Sequence, residues 1–535
     1  MKARDLLTLL LLEALVLAVV AFFQHSPGYM DADYYTVMGQ RLAHGQATEP
    51  FLWNYLDDPQ GVPHPAFAYW QPLPAALAAW GVRWWPAAAP FAAARWPFFL
   101  LALLVPPLTA WLAYRLTRRR EQAWLSGVLA VAAGFYLPYL AIPESFTPLL
   151  FLGGLFFLVA GWAEPWRWQD AWRPGQAMGK VLSRRLWALQ AVILGVLAAG
   201  FYLTRAEGAL WLAAAWAALA KKRWRGWAWV TLGFAVLAGP WMLRNWVLFG
   251  APFSPAGSKA LWLRHYDELF VYPASRLTPA HWLAGGVGGI LRARLHAAGA
   301  NLLSALAVQG AVIWLPFALW GGWRLRQRRV VRLAAGMWLL LWLLMSLVYP
   351  FAGERGGYFH TAAALQPVIW ALAPAGLADA LRRLARRRGW PAHQAWSVLG
   401  WGLLALTVFL SGWVVARRVV GSDPSQPAWD REARTYRRLD AGLQALDVPR
   451  EALILVNNPP GFTLVTGRPT LAVPDGDAQT VAAVARRYGA RYWLLEVHHP
   501  KPLNHFYCHP TTVPPPWRFI GQAADAPVFL LEEGP

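Results

Sequence analysis

Two carboxylates stand where the first apolar stretch ends, Asp31 and Asp33 in Gly28-Tyr29-Met30-Asp31-Ala32-Asp33-Tyr34-Tyr35. Acid at the edge of a membrane domain is costly, so it marks a candidate functional site. Either residue could instead cap the helix implied by Tyr35, Met38 and Leu42. A third acid, Glu144, lies in the short stretch Ile142-Pro143-Glu144-Ser145, where it could equally be a first-turn residue favoured by a helix dipole. Cations occupy similar boundaries: Arg205 near Glu207, Arg244 beside Asn245, then Lys259, Arg355 and His360. A guanidinium fork matches phosphate oxygens, although an arginine at a span end can also simply snorkel. His64 and Tyr69 belong to a loop of aromatics and acids with Asp57 and Asp58. That mixture suits a sugar, whose ring faces stack while its hydroxyls need acceptors, and it is also what an ordinary interfacial loop contains. Acids and phosphate-binding cations together suit sugar transfer from a lipid-linked phosphate. A carboxylate deprotonates or orients an acceptor hydroxyl, and Arg or Lys stabilises the departing phosphate. Direct displacement inverts the anomeric centre. Asp31, Asp33 and Glu144 could also bridge a divalent metal ion.

The surrounding chain must hold these groups at a membrane face. Of its 535 residues, 57% are hydrophobic and 14% charged, and the mean hydropathy is +0.31. Soluble domains carry about 25% charged residues, so this composition is that of an integral membrane protein. The net charge of +21 reads as basic cytoplasmic loops rather than nucleic-acid binding. Cys508 is the single cysteine, which excludes an intrachain disulfide framework and a multi-cysteine zinc site. His498, His499, His505 and His509 fit no standard zinc spacing and read as loop residues.

Apolar segments at 6–23, 96–114, 123–141, 148–162, 186–203, 209–220, 227–249, 302–323, 333–350, 362–381 and 396–416 predict about eleven transmembrane helices. The first follows Lys2 and Arg4 and lacks a small-residue cleavage pattern, so it reads as an uncleaved span with a cytoplasmic N-terminus. Lys and Arg concentrate in the short stretches 1–5, 115–120, 164–187, 221–225, 323–332 and 381–389, while the longer alternate loops are poor in them. The positive-inside rule then puts every candidate site residue, and the C-terminus, on the outer face. The expected layout is a transmembrane domain, 1–420, with outer loops 24–95 and 250–301, followed by a small extracytoplasmic α/β domain, 421–535. Within the latter, helices at 431–446 and 477–488 alternate with strands at 452–456, 469–473, 492–496 and 528–531.

At these residues the chain resembles the GT-C superfamily of polytopic glycosyltransferases, particularly the family-39, protein mannosyltransferase-like and aminoarabinose transferase-like branches. An acid, a Tyr four residues on, then Leu and Gly follow the first span in such proteins, as Asp31, Tyr35, Leu42 and Gly45 do here. Glu144 matches the acid of their second outer turn. Thr204-Arg205-Ala206-Glu207-Gly208 is similar to their Thr-Arg-Pro-Glu-Gly stretch, and Pro240 with Arg244-Asn245 and Phe249-Gly250-Ala251-Pro252 to a later one. The resemblance implies a polyprenyl-phosphate-sugar donor, an outer-face active site in a bacterial cell membrane, and a central first-loop carboxylate, Asp31 by register. The family's Asp-Glu pair is absent, because Ala32 follows Asp31; Asp33 could supply the second acid. The expected function is an inverting glycosyltransferase acting on a protein, lipid or glycan acceptor amid membrane lipids, without nucleic acid. A lipid or polysaccharide transporter and an inert cell-wall-binding membrane protein are the alternatives.

Overall fold

The computed structural model describes residues 1–85, 89–163, 176–219 and 223–532. Much of the basic stretch 164–187, part of 221–225 and the last three residues of the chain lie outside them. Among the described residues, seven helices are long and apolar enough to cross a membrane: Ala3–Phe22, Pro90–Thr117, Arg185–Thr204, Trp224–Phe249, Arg329–Val348, Pro350–Arg388 and His393–Val420. Each matches one of the eleven expected segments. The first, α1 (Ala3–Phe22), turns Leu9, Glu13 and Leu17 into the protein and Leu7, Leu11 and Leu15 outward, which suits a helix with one face to lipid.

The other four expected segments are short or interrupted. The run at 123–141 stops being α-helical at Ala132, because Ala133 and Gly134 take left-handed conformations and Pro138 follows. The segment at 302–323 breaks between Gly310 and Trp314, where Ala311 and Val312 have positive φ. The Gln366 side chain donates to the Gln309 carbonyl freed at that break (2.9 Å), as a polar backbone group inside an apolar core requires. The segments at 148–162 and 209–220 form Phe146–Ala160 and the nine-residue helix Leu210–Ala218. Hydropathy sums cannot see such backbone breaks.

After α1 the chain forms a helix, α2 (Met30–Ala43). The loop beyond it adds a short antiparallel pair, β1 (Thr48–Glu49) with β3 (His64–Pro65). Between them, β2 (Phe51–Leu52) leaves to join a sheet built otherwise from the C-terminal region. That sheet has the order β2, β5 (Thr470–Ala472), β4 (Ile454–Val456), β6 (Tyr492–Leu494), β8 (Ala526–Leu531), β7 (Trp517–Ala523). The first four strands run parallel and the last two pair antiparallel. The buried Ile-Leu-Val of β4 is the continuous apolar run of a central parallel strand. Helices Arg431–Ala445 and Ala478–Tyr488 agree with expectation. Pro459–Thr466, expected as a turn, is a third helix, with Asn458 as its N-cap and Pro459 in its first turn. Phe51 pairs in register with Thr470, and Tyr55 donates to the Ala472 carbonyl. The first loop and the C-terminal region therefore form one structure.

Inside the loop, His64 is buried between Asp57 (Nε2 to Oδ2, 2.8 Å) and Glu49 (3.8 Å). Burial alone would lower its pKa, but the hydrogen bonds and charges of the two acids outweigh that and raise it to about 9. The stabilisation from this cluster is thus full below about 6.5, the unfolded value, and is lost as pH rises through about 9. His64→Ala takes the cation from between two acids, leaving Glu49 only its hydrogen bonds from Tyr34 and Phe67, and is expected to cost about 3 kcal/mol. A fall in melting temperature at pH 7 that shrinks above pH 9 is the check.

Candidate active site

The first turn of α2 fixes the first acid. Tyr29 is extended and Met30 opens the helix, so Asp31 sits near the N-terminus, where the dipole favours a carboxylate. The Trp70 indole N–H donates to Asp31 Oδ1 (3.2 Å), and Trp70 is itself stacked on Tyr34 at 4.0 Å between ring centroids. Glu144 arrives from the turn before Phe146–Ala160 and is wholly buried. Its Oε1 accepts from the Ser145 backbone N–H (2.5 Å) and hydroxyl (2.6 Å). Between the acids stands His360, delivered after a kink at Arg355 and Gly356, whose φ of +111° glycine alone adopts readily. His360 Nδ1 lies 3.3 Å from Glu144 Oε1, and Nε2 lies 3.9 Å from Asp31 Oδ2. The imidazole stacks on Phe146 at 4.1 Å.

The two acids are electrostatically unequal. Burial, then the neighbouring charge of Glu144, pushes the Asp31 carboxyl above its ordinary value. Burial would do the same to Glu144, but the charge and hydrogen bond of His360 and the two bonds from Ser145 together hold it below. One acid is thereby disposed to take a proton and the other to stay ionised. Glu144 Oε2 is buried with no hydrogen-bond partner. One ligand atom from each of Asp31, Glu144 and His360 lies within 4.8 Å of the others. Two carboxylates and an imidazole, one carboxylate oxygen being orphaned, form a donor set that could hold a divalent ion.

Several expected residues share this site. Arg205 pairs with Glu207 and its charge acts on Asp31. Arg355 lies over the Tyr266 ring at 4.8 Å; burial, then the charge of Asp31, pushes the Tyr266 hydroxyl up to about 12. Tyr69 also feels Asp31. Other expected residues are elsewhere. Asp33 follows Asp31 by two, so it leaves the opposite side of the same helical turn; it meets Asn458 of the C-terminal region. His64 belongs to the cluster described above. Arg244 donates to the Ala66 carbonyl (2.6 Å) and to Asn245 (3.1 Å) and packs over Trp241 and Phe249, which ties Arg244 to the first loop. Lys259 ends the short helix Pro255–Lys259, and among the described residues it makes no ion pair. Ser145 and Tyr266 escaped the sequence reading as site residues, and only the adjacency of Ser145 to Glu144 could have drawn attention to either; Trp70 belongs, with Tyr69, to the loop of aromatics and acids that the sequence singles out.

Solved structures share the overall fold. ArnT from Cupriavidus metallidurans bound to undecaprenyl phosphate is similar over 99% of this chain and 98% of its own, with 15% identity and a TM-score of 0.53. The archaeal oligosaccharyltransferase AglB from Archaeoglobus fulgidus, in complex with an inhibitory peptide and a dolichol-phosphate, is similar over 95% of this chain and 71% of its own, at 13% identity and a TM-score of 0.56. This is the GT-C fold. An oligosaccharyltransferase from the same archaeon in complex with Zn and sulfate shares it at 12% identity and a TM-score of 0.54, over 94% of this chain and 69% of its own. The ArnT comparison covers nearly all of both chains, whereas this chain spans about 70% of the length of the oligosaccharyltransferase chains. No protein-family model and no curated protein sequence matches the chain.

Proposed function

We propose that this protein is a membrane glycosyltransferase that takes its sugar from a polyprenyl-phosphate-linked donor and inverts the anomeric centre. The observation that carries the reading is the Asp31–Glu144–His360 centre, with Glu144 buried and the other two half-buried, and with Arg205 and Arg355 beside it, on a GT-C fold. Neighbours of that fold bound to undecaprenyl phosphate and dolichol-phosphate support the donor class. The acceptor is a protein, lipid or glycan, and a neighbour tethered to an acceptor peptide makes a peptide the first to try.

The chemistry follows from the environment of each group. Asp31, biased toward protonation, takes the proton of the acceptor hydroxyl as that oxygen bonds to the anomeric carbon. The bond from that carbon to phosphate oxygen breaks, and polyprenyl phosphate leaves as an anion. Arg205 and Arg355 stabilise the developing phosphate charge, where a preorganised cation acts without rearranging solvent. Glu144 stays ionised and fixes His360 through Ser145. A divalent cation held by Asp31, Glu144 and His360 would supply Lewis-acid stabilisation of phosphate oxygens. Asp33, Arg244 and Asn245 act as supports.

In this reading the site faces the outside of a bacterial cell membrane and the N-terminus the cytoplasm. The short and broken helices complete about eleven crossings, and residues 421–535 form the outer domain. The test is protein reconstituted in lipid vesicles with a panel of polyprenyl-phosphate sugars. Release of polyprenyl phosphate with an inverted product linkage is expected. Donor carried unchanged across the bilayer would make the protein a transporter, and no donor binding at all would make it an inert member of the fold.

A further inference from the structure

Asp31 lies between two attachments supplied by the C-terminal region. Upstream, Asp430 Oδ1 accepts from the His25 backbone N–H (3.0 Å) and the Ser26 hydroxyl (2.7 Å), while the Trp429 indole donates to the Ser26 carbonyl (3.0 Å). Trp429 also fills the space beside Gly28, whose φ is +91° and which has no room for a Cβ. Downstream, Asn458 Nδ2 donates to Asp33 Oδ2 (3.2 Å) and to Glu432 Oε1 (3.0 Å). The Asn458 Oδ1 accepts from the Gly461 N–H (3.2 Å) at the start of Pro459–Thr466. Every polar atom of this 4% exposed amide is therefore engaged, and Asp33 is buried with it. A Cβ on Gly461 would meet Asp33 Oδ2 and Asn458 Nδ2 at 2.5 Å, so the helix rests directly on α2.

Glu144 and His360 are held by membrane helices through Ser145 and Phe146. Asp31 is held by α2, and rotation of α2 about its axis changes the approach of Asp31 to them. Asp33 projects from the opposite side of the same turn, so whatever fixes Asp33 fixes that rotation. We propose that the C-terminal domain is a working part of the active centre and that Asn458 is its positioning residue: by hydrogen-bonding Asp33 it aims Asp31 at Glu144 and His360. The proposal rests on Asp31 being the base, and it predicts an effect on kcat rather than on donor binding.

The full-length reconstituted protein tests it. Asn458→Asp keeps the helix cap but sets a third carboxylate against Asp33 and Glu432. It should lower kcat at least tenfold and leave the donor KM within twofold. The triple variant Asn458→Asp/Asp33→Asn/Glu432→Gln supplies that carboxylate with two side-chain donors and the Gly461 N–H, and should return kcat to within threefold of wild type. Asn458→Ser, which can still cap the helix, serves if Asn458→Asp does not fold, and should lower kcat severalfold. Unchanged kcat in folded Asn458→Asp or Asn458→Ser would overturn the proposal. So would a folded triple variant that stays inactive, because Asp33 would then be needed for itself. Asp31→Asn measured alongside separates the two ideas: activity retained there removes the base, whereas activity lost there with Asn458→Asp unaffected removes only the positioning role.

Discussion

Asp31→Asn is expected to lower kcat by about 10³-fold, equivalent to about 4 kcal/mol of transition-state stabilisation. The amide occupies the same volume and can still meet Trp70, whose indole fixes the side chain, so folding and polyprenyl-phosphate binding should survive. What is lost is the only acid of the centre that burial and the Glu144 charge dispose toward protonation. The acid limb of the wild-type pH–rate profile should therefore lie above the ordinary carboxylate range, and it should vanish from the residual activity of the variant. Rate measurements across pH, paired with melting temperatures, check both parts. Comparable rates in the two proteins would remove Asp31 from the chemistry.

The second large effect is expected at Glu144. Its Oε1 is saturated by Ser145 and faces His360, while Oε2 is buried and unpartnered. Glu144→Gln keeps the shape and removes the charge, so His360 loses its anionic neighbour and the donor set loses a carboxylate. Transfer should fall about 10²-fold, and divalent-cation affinity at least about tenfold, since even changes that only orient metal ligands typically cost that much. Titrating chelated protein with Mn²⁺ while following transfer would show both shifts. Equal cation dependence in the two proteins would separate Glu144 from any metal.

How far the sequence discloses this site depends on how local each feature is. The alternation of basic loops leads the sequence to expect Asp31, Glu144 and His360 on one membrane face, and the structure brings the three together. Asp31 and Asp33 look interchangeable in sequence, and only a helix already begun at Met30 sends them to opposite sides. Arg244 has the chemistry of a phosphate ligand, and the sequence gives no sign that one of its N–H groups reaches the carbonyl of Ala66, 178 residues away. β2 is two residues long and pairs with a strand more than 400 residues later, beyond any periodicity. Pro459-Pro460-Gly461 reads as a turn, but prolines open a helix as readily as they end one. The long apolar spans are legible from hydropathy, whereas Ala133, Gly134 and Ala311 break helices through backbone angles that composition does not encode.

The most direct test of a polyprenyl-phosphate-dependent transferase centred on Asp31 is one preparation of wild type and Asp31→Asn in vesicles, given the same donors and candidate acceptors. Released polyprenyl phosphate and new glycosidic bond would be quantified together. Equal amounts of both from wild type, and neither above background from the variant, is the predicted result. Release by the variant at the wild-type rate, or donor lost from one leaflet without any new bond, would contradict it.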